Sequence, residues 1–145
     1  MALNIFMGVS GSGRTHFIKE NFPTWTHFSV GDYQKKILTD MGNPKSIEFH
    51  KHMEVLIKAN EQIMEDVVED LKEGKDVALE HTLYKRKRRI PYLEAFKSVT
   101  DVPVNIYVLM PSEEQFRRNL ESSEKHDISD FKGLWREMNA IEFPN

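Results

Sequence analysis

Residues 8–15, Gly-Val-Ser-Gly-Ser-Gly-Arg-Thr, constrain this chain more than any other stretch. They follow a short apolar run, LNIFMG at 3–8, and precede RTHFIKEN at 14–21, which reads as a short helix ended by Pro23. The spacing is G-x-x-x-x-G-[KR]-T at a strand-to-helix turn. Glycines at 8, 11 and 13 clear the space that backbone amides need to converge on closely spaced oxygens. A helix starting near Gly13 adds its positive end. A glycine-rich turn that binds nothing has the same composition, but the strand before and the helix after favour a phosphate cradle. Val9, Ser10, Ser12 and His16 fall within or beside that cradle by position. Thr15 would offer its hydroxyl to a magnesium ion. Arg14 stands where such loops carry lysine; its fork is longer and planar, supplying charge and paired donors from a different position.

The rest of the chain alternates strand and helix. THFSV (26–30) reads as a second strand and YQKKILTDM (33–41) as a short helix, stopped by Gly42 and Pro44. Met53, Leu56, Ile57, Asn60, Ile63, Met64, Val67, Val68 and Leu71 recur at three- and four-residue spacing, which predicts the longest helix over 46–73, closed by Gly74. DVALE (76–80) is a third strand and 87–98 a helix. VNIYVLM (104–110) is an almost unbroken apolar run, expected to be a strand buried on both faces. Ser112 and Gln115 form a capping box for a helix through about Leu120, and 129–140 is a last helix. This order predicts one α/β domain whose parallel sheet is covered on both sides, with ligands at the carboxyl ends of the strands. A lid-like segment is expected near 116–130.

Composition removes several alternatives. At 145 residues with no cysteine, the chain can build a core without disulfides and has no thiolate metal site. A net charge of -3 is not that of a generally basic nucleic-acid binder, so any contact with nucleic acid must be local. The start lacks a basic n-region and no apolar run approaches a membrane span, so no membrane association is expected and a cytoplasmic location fits. The six histidines are scattered and suggest no metal site.

Two carboxylates fall at the strand ends. Asp32 follows the second strand, where phosphoryl transfer to a hydroxyl needs a proton acceptor; an N-cap for the next helix is the structural alternative. Glu80 ends the third strand and could hold magnesium, with His81 or Thr15 as structural partners otherwise. His81 and Thr82 follow on the same loop, within reach of an acceptor. KRKRR at 85–89 places five cations at a helix start, where the macrodipole disfavours them. An anionic partner such as a nucleic-acid phosphate would explain them, as would a solvated face or arginine stems packed on the sheet. Arg117 and Arg118 lie where a lid would close, and arginine there could stabilise charge on a transferred group.

With these residues in place, the sequence resembles the kinase domain of phage-type polynucleotide 5'-hydroxyl kinases and related small P-loop kinases over nearly its whole length. GVSGSGRT is similar to that family's phosphate loop and SVGDYQKKI to its general-base stretch. GKDVALEHTLYKRKRRIPYLEAF is similar to its acid-ended strand and arginine-bearing helix, and QFRRNLESSEKHDISDFKGLWREM to its lid. The resemblance implies a P-loop kinase fold, a three-layer sandwich with about four to five parallel strands. It implies ATP, or another nucleoside triphosphate, and Mg2+ as cofactors. Asp32 would activate the acceptor hydroxyl, Thr15 bind magnesium and Arg118 face the triphosphate. Gln34, Thr82, Arg88 and Arg89 fall at or near acceptor-contacting positions. The acceptor would be a 5'-hydroxyl of a polynucleotide or another nucleotide hydroxyl. The sequence departs from the family at Arg14, Glu80, Thr82, Gln34 and Ser122. Those departures leave open a nucleotide-binding protein without transfer activity, or a kinase acting on a small metabolite.

Overall fold

The computed structural model describes residues 2–9, 11–42, 48–82, 86–99, 101, 104–122 and 131–141, with the side chains of Phe49 and Arg86 excluded. Ser10, Lys85 and the 123–130 part of the expected lid therefore lie outside the described residues. Among the described residues ten elements follow one another: β1 (Leu3–Met7), α1 (Arg14–Asn21), β2 (Thr26–Ser29), α2 (Val30–Asp40), α3 (Phe49–Lys72), β3 (Val77–His81), α4 (Arg86–Lys97), β4 (Val104–Val108), α5 (Glu113–Glu121) and α6 (Phe131–Asn139). The strands form one parallel sheet in the order β2-β3-β1-β4. The expected α/β fold is present, its parallel sheet having four strands, the lower of the four to five implied.

Strand alternation divides the core. Leu3, Ile5 and Met7 of β1 and Val77 and Leu79 of β3 turn to one face, where they meet Ala59, Ile63, Val67 and Leu71 of α3 and Phe96 of α4. Phe6 and Ala78 turn to the other face and meet Ile18 of α1. Around them Phe17, Phe22, Trp25 and Tyr107 form an aromatic cluster in which Phe6 stacks on Tyr107 with centroids 4.9 Å apart. Burying such large rings removes enough apolar area from water to hold α1 against the sheet. Asn4 and Asn105 share that face, and a 3.0 Å bond from Asn105 Nδ2 to Asn4 Oδ1 satisfies the buried amide.

Two readings of the sequence need correction. VNIYVLM was expected to be a strand buried on both faces, but β4 ends at Val108 and is an edge strand of intermediate exposure. The fully buried strands are the central ones, β1 and β3. Apolar content alone does not separate a central strand from an edge strand whose face is covered. Helix α2 begins at Val30 directly after β2, so Ser29 is the N-cap and Asp32 sits inside the first turn. Asp32 is thus not the cap, although a carboxylate in that turn still favours the helix.

Candidate active site

The glycines shape the loop between β1 and α1. A Cβ at Gly8 would lie 2.4 Å from Ser12 Oγ, and Gly11 and Gly13 adopt φ of 87° and 92°. Side chains at the last two positions would be strained. Ser12 N–H donates to Val9 O at 3.1 Å, folding the loop over itself, and the first helical bond runs from Phe17 N to Gly13 O at 3.0 Å. The amides of residues 14–16 therefore have no acceptor within α1 and, with that of Gly13, form the open end of a helix.

Beneath this end lies a network centred on Glu80, the penultimate residue of β3. Thr15, in the first turn of α1, directs its hydroxyl at both carboxylate oxygens, 2.9 and 2.8 Å away. His27 on β2 is in register with Ala78 and so shares the face of Glu80; its Nε2 lies 2.9 Å from Glu80 Oε2. Arg14 brings Nε to 3.7 Å from Oε1. Burial pushes the Glu80 carboxyl upward, but the bond with His27, the charge of Arg14 and the Thr15 hydroxyl outweigh it and hold it below the usual range. Burial lowers the Arg14 pKa, partly offset by Glu80. Arg14 Nη1 is buried without a hydrogen-bond partner among the described residues. Such an orphan cationic donor is costly unless an anion completes it.

The donor set suits a hard divalent cation. Thr15 and Glu80 offer a hydroxyl and a carboxylate, and the described residues contain no group of three or more His, Cys, Asp or Glu that could form a full protein cage. Magnesium bound beside phosphates commonly retains waters and uses one or two protein oxygens, which these residues fit.

A cavity of about 280 Å³ opens over the loop, walled by Gly13, Arg14, Thr15, Glu80 and, from α5 and its C-cap, Asn119 and Ser122. Asn119 Nδ2 donates to Gly11 O at 2.8 Å. Sequence reasoning passed over both Asn119 and His27. Neither carries a local signal: His27 comes beside Glu80 because β2 pairs with β3, and Asn119 reaches the loop because Phe116 and Leu120 of its helix pack there. Arg118 does not line this cavity; it is exposed and pairs with Glu114 one turn back. Arg117 pairs with Glu113 and lies 3.8 Å over the Phe131 ring, bridging α5 to α6. His16, at the cavity rim, is largely exposed and pairs with Glu20 at 3.1 Å.

A second cleft of about 520 Å³ lies past the end of β3, between α3 and α4. Met53, Leu56 and Pro91 supply an apolar wall, while Gln34, Thr82, Lys87 and Arg88 supply polar groups. Of the basic run, Lys87 and Arg88 are exposed to this cleft, whereas Arg89 is buried with Nη1 3.4 Å from Met7 Sδ. His81 is also interior. Thr82 N–H donates to its Nδ1 at 2.8 Å, so Nε2 carries the proton and donates to Tyr92 Oη at 3.0 Å; Tyr92 in turn donates to Asn60 O at 3.4 Å. Burial, followed by the Arg14 charge, pushes His81 down to about 3. It is a fixed neutral strut, not a proton acceptor. Asp32 is exposed in a neighbouring groove between α2 and α3, and Glu61 lines both that groove and the cleft.

No family model and no curated protein sequence matches this chain. Solved structures do. A gluconokinase from Sinorhizobium meliloti aligns over 99% of this chain and 77% of its own, at 16% identity and a TM-score of 0.59. A provisionally assigned kinase from Chloroflexus aurantiacus aligns over 90% of this chain and 74% of its own, at 11% identity and a TM-score of 0.69. A chain of the Pnkp1/Rnl/Hen1 complex aligns over 81% of this chain and 38% of its own, at 14% identity and a TM-score of 0.60. The fold of this chain is that of P-loop kinases.

Proposed function

We propose that the protein is an ATP- and magnesium-dependent phosphotransferase that moves the γ-phosphate to a hydroxyl, with the 5'-hydroxyl of a polynucleotide as the favoured acceptor. The observation that carries this reading is the Thr15–Glu80 pair set directly beneath the open amides of the phosphate loop. Thr15 and Glu80 would hold the magnesium ion, which when bound offsets phosphate charge and helps align the transferred group.

The chain's own residues divide the remaining work. Amides 13–16 and Arg14 would cradle the phosphates, the orphan Nη1 of Arg14 meeting an oxygen there. Asp32, exposed at the carboxyl end of β2, would take the proton of the acceptor hydroxyl as its oxygen bonds to the γ-phosphorus and the bond to the leaving nucleoside diphosphate breaks. Arg118 would swing from Glu114 toward the transferred group; an exposed i,i+4 pair costs little to open. Lys87 and Arg88 would hold acceptor phosphates along the cleft, with apolar contacts to the sugar or base from Met53, Leu56 and Pro91. The likeness to a chain of the Pnkp1/Rnl/Hen1 complex is compatible with this acceptor class, and the gluconokinase likeness with a small hydroxyl compound in the same cleft.

A reading as a nucleotide binder without transfer draws on Arg14, whose side chain is drawn back toward Glu80. Transfer of label from γ-labelled ATP to oligonucleotides, nucleosides and small polyols separates these readings. Labelled oligonucleotide supports the proposal, labelled polyol alone moves it to a metabolite kinase, and binding with no labelled product leaves the nucleotide-binding reading.

A further inference from the structure

The Gly11–Ser12 peptide is held from both sides. Its N–H donates to Val9 O at 3.1 Å, and its carbonyl accepts from Asn119 Nδ2 at 2.8 Å. The second bond comes from α5, over a hundred residues away in sequence, and Asn119 is itself oriented: Gln115 Nε2 donates to Asn119 Oδ1 at 2.7 Å, leaving only the amide nitrogen free to face the loop. Gln115 in turn belongs to the capped first turn of α5, where its N–H donates to Ser112 Oγ at 3.2 Å. The apolar side of the same helix seats against the loop, with Leu120 Cδ2 3.0 Å and Phe116 Cε2 3.4 Å from where a Cβ of Gly11 would be.

A carbonyl oxygen on the wall of an anion cavity repels the ligand unless a donor occupies it. Gly11, at φ 87° and without a side chain, is also a residue whose flanking peptides turn easily. We infer that Asn119, oriented by Gln115, is a positioning residue that holds the Gly11 carbonyl away from the bound phosphates and so keeps the loop in its binding shape. This rests on the nucleotide-binding part of the proposed function. The relay also links the seating of α5 to the loop, so that a bound triphosphate and a seated α5 stabilise each other.

The test is calorimetric binding of ATP and of inorganic tripolyphosphate, each with magnesium, to the full chain and to Asn119→Ala, Asn119→Asp and Gln115→Glu. Glu at 115 accepts instead of donating, so it draws the Asn119 amide nitrogen to itself and presents Oδ1 to the Gly11 carbonyl. Gln115 is exposed, and a thermal melt without ligand checks that each variant folds. The inference expects Asn119→Ala to weaken both ligands about tenfold, as for one lost hydrogen bond with its acceptor left bare. Gln115→Glu should reproduce that loss and Asn119→Asp exceed it, with each ligand-free melt still cooperative and lowered by no more than a few degrees. Wild-type binding with undiminished binding by Asn119→Ala overturns the inference and leaves the nucleotide reading standing. Loss in Asn119→Ala but not in Gln115→Glu overturns the relay. Failure of the wild-type protein to bind either ligand overturns the nucleotide reading and the inference together.

Discussion

Replacing Lys87 and Arg88 with alanine tests the acceptor assignment with a number. Both line the cleft past β3, while Arg89 is buried against Met7, so the basic run contributes two described cations to an incoming strand. Each phosphate neutralised on a single strand adds about 0.7 to the slope of log affinity against log salt. Losing two should flatten that slope by about 1.4. Between 50 and 200 mM salt, the affinity deficit of the double variant should then shrink about sevenfold. The assay is fluorescence anisotropy of a labelled single-stranded oligonucleotide with a free 5'-hydroxyl, titrated across that range. The two cations also occupy the first turn of α4, where the macrodipole disfavours them, so the double variant should be as stable as wild type or about 0.5 kcal/mol more stable. Weaker binding therefore cannot be assigned to a damaged fold. An unchanged slope would refute the reasoning and move these residues to the role of a solvated surface.

Three further outcomes follow from the geometry. In Gly11→Ala the new methyl meets Leu120 at 3.0 Å in a backbone conformation that alanine resists, so stability in urea should fall by about 1 kcal/mol or more and ATP affinity with it. Glu80→Gln removes the charge facing Arg14 and the carboxylate offered to the cation, so calorimetry should show nucleotide binding that no longer strengthens on adding magnesium. His81 is held neutral in the folded chain, with its pKa down at about 3 against 6.5 unfolded. The unfolded chain alone takes up that proton below 6.5, so the contribution is complete above that pH and is lost as the pH falls toward 3. By pH 5 the loss is about 2 kcal/mol. Urea titrations of the metal- and nucleotide-free protein at pH 7 and 5, run beside His81→Gln, should show wild type losing that much more than the variant; equal losses contradict the strut assignment.

Local chemistry made most of the elements legible. Arg14–Asn21 is where Pro23 and the glycine loop place it, and Ser112 caps α5 by accepting from Gln115 N–H, the half of the expected capping box that is shown, while the Gln115 side chain bonds Asn119. The Thr15–Glu80 encounter follows from two motifs whose strands adjoin in the sheet. What stayed hidden depends on packing at a distance. Nothing local to VNIYV says that β4 is an edge, and nothing local to His27 says that β2 will lie beside β3. His81 follows Glu80, but alternation turns it to the opposite face, where it bonds Tyr92 and lines the cleft between α3 and α4. Arg118 and Asn119 are neighbours in sequence. In the helix, the asparagine reaches the loop and the arginine reaches Glu114.

The most direct test of the central claim is transfer of label from γ-labelled ATP, with magnesium, to a 5'-hydroxyl oligonucleotide, run on wild type beside Asp32→Asn. Wild type should label the oligonucleotide, and Asp32→Asn should lose at least about a hundredfold, the scale of a missing general base, with ATP affinity retained. Undiminished labelling by Asp32→Asn would contradict its role as base. No labelling by wild type, despite ATP binding, would contradict the assignment of a polynucleotide phosphotransferase.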